Sequence, residues 1–296
     1  MQQLKYVVTV ARTGSMSEAS KELFISQPGL TTSIRELETE MGIKIFTRTN
    51  KGVVTSNEGE RFLGYARQVL EQASLLEGVY KPGTKIKQQF CVSTQHYSFA
   101  VNAFVDLIRR FAGEEYDFSL RETETYEIID DVAKMKSEIG ILYLNSFNKD
   151  ALMKIIKSKS LTFTELFTAK PHVFVSTDHP LADKKSVTME ELADYPYLSF
   201  EQGEHNSFYY SEEIFSTVGR TKNIRVTDRA TLFNLLIGLN GYTVCSGVID
   251  NELNGDNITA IPLDEEGNMK IGYIENKKIL HSNLAEAYIE ALKKHI

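Results

Sequence analysis

The spacing of apolar residues along this chain changes once, at Pro82-Gly83. Ahead of that break apolar side chains return every three or four positions, as in helices. Beyond it short alternating runs and helical runs take turns, as in an α/β arrangement. A chain of 296 residues that switches pattern in this way is expected to fold as separate units, each able to bury its own core. With 42% hydrophobic and 25% charged residues it does not read as disordered. No apolar run reaches the roughly 18 residues a spanning helix needs, and Arg12 interrupts the short run Tyr6 to Ala11 with no cleavage-like segment after it. A cytoplasmic protein with no membrane partner is expected.

In the front part Leu4, Val7, Val8 and Ala11 form a first helical stripe that ends at Gly14. Ser17 is read as the cap of a short second helix, Glu18 to Phe24, with Ala19, Leu23 and Phe24 facing inward. Ser26 caps a third, with Leu30, Ile34, Leu37 and Met41 on one face and Gly42 closing it. Ile43 to Thr49 and Val53 to Thr55 alternate like strands around an Asn50-Lys51-Gly52 turn. Three helices and a hairpin predict a winged helix-turn-helix over 1–56. Residues 57–81 read as one long helix striped by Phe62, Ala66, Val69, Ala73, Leu76 and Tyr80. With no partner helix adjacent in sequence, it is expected to pair with a second copy, leaving 82–88 as a hinge.

The third helix lacks an acid in its first turn, where the macrodipole favours one. Pro28, Thr31, Thr32 and Arg35 gather opposite its apolar stripe, beside Ser26 and Gln27, and Arg48 and Lys51 fall on the wing. A solvated face is the plain alternative for such residues. Within a helix-turn-helix they suit double-stranded DNA instead: uncharged donors and a guanidinium meet base edges, and free amides at a helix start seat a phosphate. Whole-chain charge is −7, but residues 1–81 carry +1 and the remainder −8, so only local placement decides.

Behind the hinge, strands are expected at Phe90–Thr94, Phe118–Glu122, Ile139–Leu144, Leu161–Phe167, His172–Ser176, Tyr197–Phe200, Ile224–Thr227, Gly241–Cys245, Ile258–Leu263 and Met269–Ile274. Helices are expected at Tyr97–Phe111, Tyr126–Met135, Ser207–Val218, Asp228–Leu239 and His281–Lys293. Cys91 and Cys245 sit in apolar, strand-like runs without a cationic neighbour and read as core packing.

The run "GSMSEASKELFISQPGLTTSIRELETEMGIKIFTR", with "VVTSNEGERFL" after it, closely resembles the winged-helix signature of the LysR-type transcriptional regulators; "KPHVFVSTDHPLADKKSVTMEELADYPYLSF" resembles their second regulatory subdomain more loosely. Ser20 and Thr31 stand where Ala and Ser are more usual, and Ser33 replaces a longer polar residue, so base preference does not carry over. The resemblance implies an α/β fold with an N-terminal all-α winged helix-turn-helix and a two-lobed, periplasmic-binding-protein-like effector domain over 89–296. Lobe I would hold about 89–160 and 265–296, and lobe II about 161–264. It also implies a homodimer or homotetramer, with RNA polymerase as a candidate partner.

Ligands of open α/β sheets sit beyond the carboxyl ends of strands. Ser93, Thr94, Gln95, Thr125, Asn145 and Ser146 occupy such ends in the first lobe, and Ser199, Phe200, Glu201 and Thr227 in the second. Their hydroxyls and amides suggest a small anionic or amino-acid-like effector. Six scattered histidines show no metal spacing, and no nucleophile elbow, phosphate loop or dinucleotide fingerprint occurs. No enzyme, metal or cofactor is expected. The rival from another class is a cytosolic small-molecule-binding module whose front domain serves only for oligomerisation.

Overall fold

A computed structural model describes residues 1–49, 52–80, 88–111, 113, 115–249, 255–279 and 281–296. The chain divides into two compact units, Met1–Lys87 and Gln88–Ile296.

In the first unit α1 (Gln2–Thr13) ends at Gly14, which takes the left-handed conformation at φ 63°. α2 (Met16–Glu22) is capped by Ser15, not Ser17: the Ser15 hydroxyl accepts the Glu18 amide, in the Ser-x-x-Glu pattern of a capping box. Phe24 does not face inward. It stands in the turn at φ 53° and is 93% exposed, because the left-handed backbone there redirects the chain toward α3. α3 (Gln27–Met41) starts at Ser26, whose hydroxyl accepts the Gly29 amide, and stops at left-handed Gly42. Val7, Val10, Ala19, Leu30, Ile34 and Leu37 close the core with Ile45, Phe46 and Leu63.

The wing pairs β1 (Phe46–Thr49) with β2 (Gly52–Thr55) antiparallel, in register Phe46 to Thr55. The first strand begins at Phe46, not Ile43, because the Glu38 carboxylate at the end of α3 accepts the Ile45 and Phe46 amides at 2.7 and 3.0 Å. The Val53 amide donates to the Gly14 carbonyl at 3.0 Å and ties the wing to the α1–α2 turn. Ser56 caps α4 (Asn57–Tyr80) through the Gly59 amide. A Cβ at Gly59 would lie 2.2 Å from the Ile45 carbonyl oxygen, so this close entry requires glycine. The apolar stripe of α4 divides: Leu63 and Ala66 are buried, whereas Tyr65, Val69 and Leu76 are 45–62% exposed.

The second unit contains β3 (Gln88–Thr94), α5 (Ser98–Phe111), β4 (Tyr116–Glu122), α6 (Thr125–Ala133), β5 (Ile139–Leu144), α7 (Lys149–Ser158) and β6 (Leu161–Ala169). It continues with β7 (His172–Ser176), β8 (Tyr197–Phe200), β9 (Asn223–Val226), α8 (Arg229–Leu239), β10 (Thr243–Cys245), β11 (Ile258–Pro262), β12 (Met269–Asn276) and α9 (Asn283–Leu292). One sheet runs β4-β3-β5-β12-β6, with the first three strands parallel and β12 antiparallel to both of its neighbours. β6 pairs with β12 from Leu161–Asn276 to Ala169–Met269. It therefore belongs to the first lobe's sheet, and the crossover falls after Ala169, not near residue 161. The second lobe holds the antiparallel β10-β7-β11 sheet and the parallel pair β8-β9. A continuous core joins the lobes, from Phe90, Phe99 and Tyr288 to Val173, Tyr197 and Tyr242.

The helix expected near Ser207–Val218 is a single 3-10 turn, Phe208–Tyr210, followed by bends, with Phe215 left-handed at φ 63°. Among the described residues no helix is long and apolar enough to cross a membrane.

Candidate functional site

At the start of α3, Ser26, Gln27, Pro28, Thr32 and Arg35 are exposed and Thr31 is half-buried, and no acid lies in the first turn. Leu30, Ile34 and Leu37 bury the opposite face, so the core fixes which side α3 presents. Arg35 forms no ion pair with any described residue. Arg48 lies on β1 opposite Val53, and Lys51 lies outside the described residues. Phe24, which the sequence reading turned inward, stands exposed two residues ahead of the Ser26 cap.

In the second unit the polar strand ends are largely spent within the protein. Ser93 is fully buried and donates to Asp131 Oδ2 at 2.8 Å, with Ser137 Oγ at 2.7 Å. Thr94 donates to the Gln95 carbonyl. Gln95 Nε2 donates to Thr125 Oγ1 at 2.6 Å, while its Oε1 accepts the Tyr97 hydroxyl and the Tyr143 amide. Thr125 Oγ1 in turn donates to the Tyr210 carbonyl at 2.7 Å. Asn145 Oδ1 accepts the Phe147 and Asn148 amides as a turn, and Ser146 is exposed beside it. In the other lobe Ser199 is half-buried, while Glu201 and Thr227 are exposed. The structure thus gathers Gln95, Thr125 and Phe200 at the lobe junction, where Gln95 bonds Thr125, Thr125 bonds Tyr210 and Phe200 stacks on His96, while the Ser93 hydroxyl is taken up by Asp131 and Ser137.

What gathers them is a second-lobe segment, Gln202–Glu213, laid across the strand ends of the first. Gln202 Oε1 accepts the Thr125 amide at 3.0 Å and so supplies the start of α6. Glu212 accepts the His96 backbone amide at 3.0 Å, the His96 ring at 2.9 Å and Gln202 Nε2 at 3.2 Å. The His96 ring stacks on Phe200 with centroids 3.7 Å apart. Burial works to lower the His96 pKa, but the charge and hydrogen bond of Glu212, helped by Glu122 and Glu213, together raise it. Glu213, 3% exposed, accepts the Phe200 amide at 2.8 Å; burial, with the Glu212 charge beside it, pushes its pKa up to about 8. Glu122 is raised by burial too, partly offset by Arg229 at 2.8 Å.

These groups border an inter-lobe cavity of about 40 Å³, walled by Tyr97, Phe174, Phe200, Leu232, Phe233 and Cys245 as well as by Glu212, Glu213, His96 and Arg229. A cavity that takes benzene is roughly 150 Å³, so a ring-sized body enters only if side chains or lobes move. Cys245 and Cys91 are half-buried free thiols, and burial raises both pKa values. Sequence reasoning missed Gln202, Tyr210, Glu212 and Glu213. The one signal was a pair of adjacent acids set among apolar residues in "FYYSEEIF". Among the described residues no group of three metal-binding side chains occurs.

A winged helix-turn-helix unit followed by a two-lobed unit with a cavity at the lobe junction is the build of a ligand-binding helix-turn-helix protein. Residues 1–60 match the bacterial regulatory helix-turn-helix proteins of the lysR family, and residues 92–296 match the LysR substrate binding domain. The chain belongs to the LysR family, whose members are transcriptional regulators and not enzymes. It is 28% identical over 209 residues to the HTH-type transcriptional regulator YybE of Bacillus subtilis (strain 168), covering 68% of this chain and 66% of that one. To the HTH-type transcriptional regulator CysB of Haemophilus influenzae it is 27% identical over 207 residues, covering 69% and 61%. These alignments span just under two thirds of the relatives' lengths. A full-length OxyR variant from Pseudomonas aeruginosa shares the fold, with a TM-score of 0.66 at 19% identity over 98% of this chain and 96% of that one.

Proposed function

We propose that this chain is a ligand-responsive transcriptional regulator that reads double-stranded DNA with the start of α3 and senses a small molecule in the inter-lobe cavity. The observation that carries the reading is the exposed, acid-free face of Ser26, Gln27, Pro28, Thr31, Thr32 and Arg35 at a capped helix start. Helix-turn-helix proteins set such a face into the major groove, which supports the same role for it here, with Arg48 and Lys51 proposed as backbone contacts. Residues 1–56 read DNA and 57–81 pair protomers through the exposed Tyr65, Val69 and Leu76, giving a homodimer or a dimer of dimers. Residues 82–88, all but the last outside the described residues, are proposed as the hinge, and 89–296 as the effector-binding part. The protein works in the cytoplasm alongside RNA polymerase.

Among the ligands suggested by sequence, the purely anionic class meets a seat that Glu212 already fills. An amino-acid-like ligand brings an ammonium group to two glutamates.

The test is fluorescence anisotropy on operator and scrambled duplexes across a salt series. Affinity should fall linearly on a log–log plot, by about 0.9 per phosphate contacted. Arg35→Ala and Gln27→Ala should weaken the preferred sequence by about 1–3 kcal/mol and the scrambled one far less. A salt-independent affinity would refute the reading.

A further inference from the structure

We infer that the effector is a cation: a small amine with an apolar or aromatic body, its nitrogen set against Glu213 and the aromatic walls of the inter-lobe cavity. The inference rests on that cavity being the effector site.

The basic groups bordering the cavity are already matched. Arg229 faces Glu122 at 2.8 Å, and His96 gives both its ring and its backbone amide to Glu212. Glu213 accepts from neutral partners, the Phe200 amide and its own, and forms no ion pair among the described residues. Tyr97, Tyr143, Tyr197 and the Cys245 thiol stay neutral because burial raises all four. An incoming carboxylate would therefore meet the Glu212 charge, and to reach the His96 amide it would have to displace Glu212. An incoming ammonium meets a buried carboxyl group and the rings of Tyr97, Phe174, Phe200 and Phe233. Ring faces attract cations most strongly where water is excluded.

Protonated Glu213 makes the binding step a proton exchange. The protonated amine enters, the Glu213 O–H bond breaks with its electron pair left on oxygen, and one proton passes to the buffer. With the acid titrating at about 8, a ligand bound at pH 7 releases most of one proton.

The full-length protein should be titrated calorimetrically at pH 7 with phenethylamine, phenylacetate and 2-phenylethanol, in phosphate and in Tris. Phenethylamine should bind about tenfold or more tighter than phenylacetate, and its enthalpy should differ between buffers by most of the difference between their two ionisation heats. Glu213→Gln should abolish that buffer dependence and weaken the amine about tenfold, a larger loss than it causes for the alcohol. Phe233→Leu should weaken the amine more than the alcohol, with wild-type proton release standing as the independent check. Tighter phenylacetate, amine binding without proton release, or silence of all three probes would overturn the inference. Operator binding by the same preparation tests the regulator reading separately: if it persists while the amine is silent, only the ligand class is lost.

Discussion

Replacing Glu213 with Gln should change stability by an amount that depends on pH, increasingly in the variant's favour as pH rises. The carboxyl group is 3% exposed and titrates near 8, against an ordinary value of 4.5. A raised acid binds its proton more tightly in the folded state than in the unfolded one. Its stabilising contribution is complete below pH 4.5 and is lost as pH climbs toward 8. At up to about 1.4 kcal/mol per unit, the wild type should lose about 3 kcal/mol between pH 4.5 and 7, and about 4 kcal/mol by pH 8, where the slope flattens as the folded group titrates. Glutamine keeps an oxygen for the Phe200 amide and does not titrate. Its new N–H groups need partners, which costs about 1–3 kcal/mol if they find none, but that cost does not vary with pH. The observable is therefore the slope. Urea unfolding of both proteins, followed by circular dichroism from pH 5 to 8, should show the variant gaining on the wild type at up to about 1.4 kcal/mol per unit. A difference that stays flat with pH would show that Glu213 is ionised in the fold and would refute the account of its burial.

Three further changes probe the first unit. Gly59→Ala should destabilise it by about 2 kcal/mol or more, since the new Cβ would press on the Ile45 carbonyl oxygen; a melting temperature equal to wild type would contradict the close packing of α4 on the wing. Phe24→Asn should stabilise by about 1 kcal/mol, because Asn accepts left-handed backbone more readily and a side chain 93% exposed gives up no core contact; a drop in unfolding midpoint would count against this. Val69→Lys with Leu76→Lys should weaken self-association about tenfold or more in sedimentation while leaving monomer folding intact, and unchanged assembly would move the interface off α4.

The first unit was readable in sequence because its signals are local. Ser26 and Gly42 mark the ends of α3 by their own backbone chemistry, and Leu30, Ile34 and Leu37 fix its inward face at helical spacing. The Ser15 cap was misplaced by two residues because Ser17 offers the same hydroxyl; only the three-residue step to Glu18 separates them. In the second unit the strands showed as apolar runs, but α7 buries just Leu152 and Ile156 among lysines, too short a stripe to announce a helix. Residues 207–218 carry helix-like apolar spacing that tertiary contacts override. Glu212 reaches His96, 116 residues away in sequence, and Thr125 Oγ1 reaches the Tyr210 carbonyl, 85 residues away.

That long reach also explains why the ligand class read from sequence differs from the one the cavity favours. Hydroxyls at strand ends suggest an anion seat only while their partners are unknown. Ser93 turns out to serve Asp131, Thr125 serves Tyr210, and the amide leading into α5 serves Glu212. A carboxylate does occupy the place where an anion was expected, and it belongs to the protein. Its presence changes the chemistry beside it: the Glu212 charge, with burial, helps keep Glu213 protonated, and it raises His96. A site of that kind gains most from a ligand that brings positive charge with it, because only such a ligand lets Glu213 ionise without being left unpaired in the core.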